Sequence, residues 1–207
     1  MQKFILHTGI VLPLLSDNID TDQIIPSREM KKVSKLGLAE GLFSGQRYLY
    51  EGKEKKGINP NFILNQPPYD KSTILISNKN FGCGSSREHA VWALVEYGFR
   101  AIIAQSFGSI FRNNCIRNGL LPIVLSPEDI HSINQSLEQD TSLSIDLEAR
   151  QVICINGDKF EFELEDYSQQ MLLNGWDFID LTLQFNDKID SFAESDRQVR
   201  PWAYLPV

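Results

Sequence analysis

The sequence predicts a three-layer α/β domain built on a mainly parallel sheet. Between residues 73 and 137, short apolar runs alternate with helical patterns, which is how parallel strands joined by crossover helices read. The 207 residues are 42% hydrophobic and 23% charged, enough apolar surface for one large core. No internal repeat or low-complexity tract offers a rival architecture.

The elements follow in order. Residues 3–15 hold short apolar stretches that form strands around Gly9 and Pro13. Residues 16–29, SDNIDTDQIIPSRE, are a polar, acidic turn region, with Asp17 and Asp20 as turn residues. From about 29 to 60 the chain is rich in lysine and glycine and weakly periodic, so it reads as a long excursion with short helices, mobile when nothing is bound. Its Lys53, Lys55 and Lys56 read as an exposed loop. TILIS (73–77) is a buried strand, and the turn NKNFGCGSS follows. The apolar positions Val91, Leu94 and Val95 mark a helix that Gly98 ends. AIIA (101–104) is the next strand, completing a right-handed crossover. A second helix, SFGSIFRNNCIRNG, stops at Asn118-Gly119, and LLPIVL is the third strand. Ser126-Pro127 opens a helix to about Leu137. Residues 143–147 and 151–155 alternate as strands, and Asn156-Gly157 turns a hairpin into KFEFEL. Helices over about 166–174 and 177–192, joined at Gly175, begin a C-terminal arm that runs to Val207.

Chemistry concentrates in Asn80-Phe81-Gly82-Cys83-Gly84-Ser85-Ser86-Arg87-Glu88-His89, between a strand end and a helix start. Two glycines let the backbone turn sharply against a ligand. Ser85 to Glu88 spells the S-x-x-E capping box, and a helix N-terminus attracts anions. Arg87 adds a planar, bidentate donor for a carboxylate. The spacing lacks the third glycine of a dinucleotide fingerprint, and it matches neither a Walker loop nor a nucleophile elbow. On spacing alone a plain helix cap is the slightly better explanation.

FGCGSSREHAVWAL resembles the signature of the aconitase swivelling domain. DNIDTDQIIPSR is similar to the early motif of isopropylmalate dehydratase small subunits, and the likeness continues through FGSIFRNN, NGLLPI and Asp180-Leu181-Thr182-Leu183-Gln184. The resemblance implies a single swivelling domain over 1–207, with a substrate-recognition excursion at about 29–60 and a helical arm at about 166–207. It implies a hydro-lyase that moves a hydroxyl between neighbouring carbons of a malate-type acid. A large subunit bearing a [4Fe–4S] cluster is the implied partner, and a small dicarboxylate the implied substrate. Residue by residue, Ser85 resembles the alkoxide base and Arg87 a carboxylate-binding arginine. Ser86 lies in the same turn, Thr21 and Asp22 match the early motif's pair, and Arg28 matches where loop lengths differ within the family. Met30, with Ile24 or Ile25, is the expected apolar surface for the substrate's branched group. His7, His89 and His131 read as structural, Cys83 as non-catalytic, and Arg112 and Arg117 as a solvated helix face.

Other function classes weigh less. Within the enzyme class, a citramalate or homoaconitate isomerase subunit is the alternative, and the early loop decides between them. A non-catalytic binding or RNA-regulatory module would not need Ser85 and Arg87, and a formal net charge of −7 repels phosphate backbones. No run of apolar residues reaches membrane-spanning length, and Pro13 and Asp17 break the apolar start, so no membrane association and a cytoplasmic place are expected. The three cysteines, Cys83, Cys115 and Cys154, are far apart in sequence and read as reduced thiols, with no cofactor on this chain. Anaerobic reconstitution of the purified chain with iron and sulfide is therefore expected to leave it without stoichiometric iron. Iron analysis measures this, and an iron-loaded pure chain contradicts it.

Overall fold

The computed structural model describes residues 1–30, 34–84 and 87–204. They divide into two compact units, Met1–Gly175 and the arm from Trp176 onward.

The first unit is an α/β layered body on a seven-stranded sheet. Its strands, in chain order, are β1 (Leu6–Pro13), the hairpin pair β2 (Tyr48–Glu51) and β3 (Glu54–Ile58), β4 (Ile74–Ile76), β5 (Ala101–Ala104), β6 (Leu121–Val124), β7 (Ser142–Asp146), β8 (Gln151–Cys154) and β9 (Lys159–Glu161). The large sheet runs β6-β5-β4-β1-β7-β8-β9, and β2 with β3 forms a separate two-stranded sheet. Strands β6, β5, β4 and β1 are parallel neighbours. The other three pairings are antiparallel. The residues forecast this division. Every residue of β4 and β5 is buried, as expected when helices cover both faces of a parallel sheet. In β7 and β8 burial alternates, as in antiparallel strands with one face on the core. β1 is the seam: Leu6–Ile10 pairs with β7, and Val11–Pro13 pairs with β4.

Helix α1 spans Thr21–Ile24 and α2 spans Ser44–Arg47. The crossover helices are α3 (His89–Tyr97), α4 (Ser109–Arg117) and α5 (Pro127–Ser136), followed by α6 (Asp166–Asn174). Ala90, Val91, Ala93 and Leu94 of α3 pack into the core with Leu75, Ile102, Phe81 and Phe111. Ser126 caps α5, its side chain accepting from the Asp129 amide at 3.1 Å. The arm carries α7 (Phe178–Leu183) and α8 (Asn186–Val199). Asp177 and Asp180 form the reciprocal capping box of α7.

Two sequence expectations change. The excursion contains the β2–β3 hairpin as well as short helical turns, and the β-forming Tyr48, Leu49 and Tyr50 ahead of Gly52 were its signal. Residues 31–33 of that excursion lie outside the described residues. The expected helix over 177–192 is two helices, broken at Gln184-Phe185. Helix α3 begins at His89, with Glu88 before it accepting from Asn118 Nδ2 at 2.7 Å; Ser85, the other half of the expected capping box, lies outside the described residues.

Gly82 has φ of +71°, and a Cβ there would lie 2.2 Å from the Phe111 ring. Gly157 has φ of +91° with nothing within 4 Å. Alanine at Gly157 meets only the left-handed backbone penalty, whereas alanine at Gly82 must also displace a packed ring. Gly82→Ala is expected to cost roughly 2–5 kcal/mol and to lower Tm by about 5–15 °C, with Gly157→Ala costing about 1–2 kcal/mol. Paired thermal melts measure the difference, and equal shifts contradict the packing argument.

Candidate active site

Two segments about sixty residues apart in sequence are stitched together where β1 and β4 end. Asn18 N–H donates to Lys79 O at 2.8 Å, Gly82 N–H to Ile19 O at 2.7 Å, and Thr21 N–H to Cys83 O at 3.0 Å. Asn80 Nδ2 donates to Asn18 Oδ1 at 2.8 Å. Asn18 and Asn80 both have positive φ, which asparagine tolerates, and each bends its loop toward the other. The loop after β5 joins them: Phe81 N–H donates to Ser106 O at 3.0 Å, and Gly108 N–H to Phe81 O at 2.9 Å. Phe107 and Phe111 stack on each other and Phe81 meets both edge-on, with centroids 5.5–6.4 Å apart. The carboxyl ends of three parallel strands thus converge, the usual location of ligand sites in α/β sheets.

Asp20 accepts from the Gln23 amide at 2.7 Å and caps α1. Asp17 accepts from Lys79 N–H at 3.3 Å, a bond between the two segments and not within its own turn. Thr21 is buried. The cap leaves Asp22 in the first turn of α1, where it forms an ion pair with Arg87. That pair joins the early motif to the glycine turn through side chains as well as backbone. Ser85 and Ser86 lie outside the described residues. A small cavity of about 240 Å³ opens at this turn, lined by Gly82, Cys83, Gly84, Gly108 and Ser109.

Arg28 is placed elsewhere. It lies 4.4 Å over the Tyr50 ring and 3.5 Å from Glu29. It lines a different cavity, of about 670 Å³, with Glu29, Tyr50, Lys53 and Lys55. Ile24 and Ile25 are fully buried in the core, so neither forms an apolar pocket wall, while Met30 packs on the core only in part. Arg112 is half-buried rather than solvated and lines a cavity of about 570 Å³ with Gln105 and Ser126. His7 accepts or donates with Thr73 Oγ1 at 2.8 Å, and His89 packs on Trp92 with centroids 4.7 Å apart.

Among the described residues no three His, Cys, Asp or Glu side chains gather as a metal-holding group. The three cysteines are unpaired: Cys115 and Cys154 are buried, and Cys83 is partly exposed. No helix among the described residues is long and apolar enough to cross a membrane.

Comparisons with known proteins identify the family. The aconitase C-terminal domain model matches residues 1–128. The 3-isopropylmalate dehydratase small subunit of Cupriavidus necator is 50% identical and is matched over 99% of both chains. The chain belongs to the 3-isopropylmalate dehydratase small-subunit family. Members from Agrobacterium fabrum and Hahella chejuensis are each 44% identical, over 98% and 100% of this chain and all of theirs. A solved 3-isopropylmalate dehydratase structure (LeuD) from Methanocaldococcus jannaschii superposes with a TM-score of 0.65 at 27% identity, covering 90% of this chain and 98% of that one. The α/β fold expected from sequence is the fold of this small-subunit family.

Sequence reasoning missed Glu96, whose carboxylate accepts from the amides of Gly37 at 2.6 Å, Leu38 at 2.5 Å and Ala39 at 2.8 Å. It sits on the exposed flank of the α3 pattern, and no local signal marks a partner so distant in sequence.

Thiol reactivity follows burial here. Burial pushes the Cys115 thiol well above its ordinary value and also raises Cys154, so both are poor nucleophiles in the folded chain. Cys83 is expected to take up a thiol reagent first, with the other two labelled only on unfolding. Peptide mapping by mass spectrometry at increasing denaturant measures this, and early labelling of Cys115 contradicts it.

Proposed function

We propose that the chain is the small subunit of a 3-isopropylmalate dehydratase, a hydro-lyase of leucine biosynthesis acting in the cytoplasm. The reaction interconverts 2- and 3-isopropylmalate through isopropylmaleate. The observation that carries this reading is the meeting of the early motif with the glycine turn, through Thr21 N–H to Cys83 O and the Asp22–Arg87 pair. It brings Thr21 and Asp22 against Cys83 and Arg87 at the carboxyl ends of β1 and β4.

The roles follow from chemistry. The Arg87 guanidinium binds a substrate carboxylate in a bidentate manner. Asp22 holds that guanidinium by one nitrogen, leaving further donors for the ligand. Ser85, as an alkoxide, removes the carbon-bound proton while the hydroxyl leaves the neighbouring carbon, and the electron pair forms the double bond. Return of the proton and of hydroxide with exchanged positions gives the isomer. Ser86 and Thr21 contribute hydrogen bonds to the substrate, and Arg28 with Met30 lies on the recognition side. Cys83, Cys115 and Cys154 lack the usual ligand spacing, so the [4Fe–4S] cluster is assigned to a large-subunit partner, where it would supply Lewis acidity for the leaving hydroxyl.

Co-expression with the cognate large subunit, then assay with 3-isopropylmalate, tests the reading. Turnover is expected from the pair and from neither chain alone; a pair inactive on 3-isopropylmalate but active on another malate derivative overturns it. Within the pair, Ser85→Ala is expected to lower kcat by roughly 10²–10⁴-fold. The same change should cost no more than about 2 kcal/mol of stability. Arg87→Lys keeps the charge and loses the fork, so kcat/KM should fall roughly 10–100-fold with a raised KM.

A further inference from the structure

Helix α3 holds the early part of the chain at both of its ends. Just before its first turn, Arg87 pairs with Asp22. In its last turn, Glu96 takes three consecutive amides, Gly37, Leu38 and Ala39. A carboxylate accepting three backbone N–H bonds is a strong anchor, because charge-assisted bonds are short and each amide would otherwise need water. Burial alone raises the Glu96 carboxyl, but bonds from the Gly37, Ala39 and Leu38 amides outweigh it and hold its pKa below the ordinary value.

The anchored turn leads directly to the residues of the site. It continues into the helical turn Ala39–Gly41, where a Cβ on Gly41 would lie 2.8 Å from Glu29 Cβ and 3.2 Å from Ile25 Cδ1. The turn therefore presses, backbone against side chain, on the segment carrying Asp22 and Arg28. Phe43 N–H donates to Ile24 O at 2.7 Å and fixes the same segment from its other side. Arg47 completes the frame. It donates to Ala39 O at 2.9 Å and Leu42 O at 3.3 Å, and lies 5.1 Å over the ring of Tyr97, the neighbour of Glu96. Asn65 Nδ2 in turn donates to Arg47 O at 2.8 Å.

We propose that Glu96 is a positioning residue for substrate recognition: by gripping residues 37–39 it sets where the segment carrying Asp22 and Arg28 stands against Arg87. The inference rests on the functional reading above. Glu96 touches no substrate; it acts through the turn. A glutamine keeps one carbonyl oxygen and so retains part of the grip, and an alanine retains none. A shift of the recognition segment changes how the substrate's side group is read more than it changes proton removal at Ser85. Glu96 therefore governs discrimination between side groups more than maximal rate.

The test uses the co-expressed two-subunit enzyme with wild type, Glu96→Gln and Glu96→Ala, assayed on 3-isopropylmalate and on a malate bearing a methyl group instead. Amide exchange at residues 37–39 is followed in parallel. In Glu96→Ala the exchange is expected to quicken, and the kcat/KM preference for the isopropyl substrate to fall roughly tenfold, mostly through KM, with Glu96→Gln intermediate. If Glu96→Ala fails to assemble, Glu96→Gln decides alone. Faster exchange with an unchanged preference means the grip is only structural and overturns the proposal, as does unchanged exchange. A wild-type pair inactive on 3-isopropylmalate overturns the functional reading itself, and this inference with it, before any variant is compared.

Discussion

The parallel pairing of β1 with β4 is the constraint on which the rest depends. Val11, Leu12 and Pro13 lie in register with Ile74, Leu75 and Ile76, so the two strands end together and their following loops emerge side by side. Segments that sequence alone separates by a long excursion then meet within hydrogen-bond distance, at Thr21 and Cys83. The apolar residues of β4 enforce this register: a slip of one residue would exchange the faces of a strand that is buried on both, against neighbours packed to interior density.

The same register explains why α3 reaches so far. Its buried face, Ala90, Val91, Ala93 and Leu94, seats it on the sheet, which fixes both of its ends relative to β1. Its outward positions are then free to contact the excursion. Trp92 donates to Asn118 at 3.1 Å, and Lys35 approaches both, 3.4 Å from Asn118 Oδ1 and 5.1 Å from the Trp92 ring centroid. A helix chosen by apolar periodicity for packing thus acquires, on its other side, the task of holding a loop.

Much of this was legible in the residues. Continuous apolar runs marked β4, β5 and β6, Gly98 and Asn118-Gly119 marked helix ends, and alternation marked β7 and β8, because each signal is local. The glycine turn and Asp22 stood out through resemblance, and the structure unites Arg87 with Asp22. What stayed hidden is non-local. Ile24 and Ile25 looked available for a pocket, yet Ile24 at the end of α1 and Ile25 at its C-cap are both buried in the core. Asn118, distant in sequence, donates to the Glu88 carboxylate, a partner no local signal marks. Arg28 sits beside Tyr50 because of a hairpin whose strands are short and mostly exposed, so its pattern was faint.

The two margins of the large sheet have a consequence for how this body meets other proteins. On one margin, β6 carries Pro122, which has no N–H to offer a further strand. On the other, β9 is only three residues long and exposes Lys159 and Glu161. Both are devices that discourage another chain from adding itself to the ladder. Polymerisation by edge-to-edge annealing is thereby suppressed, and any companion must recognise side chains on faces and loop ends instead of extending the backbone ladder.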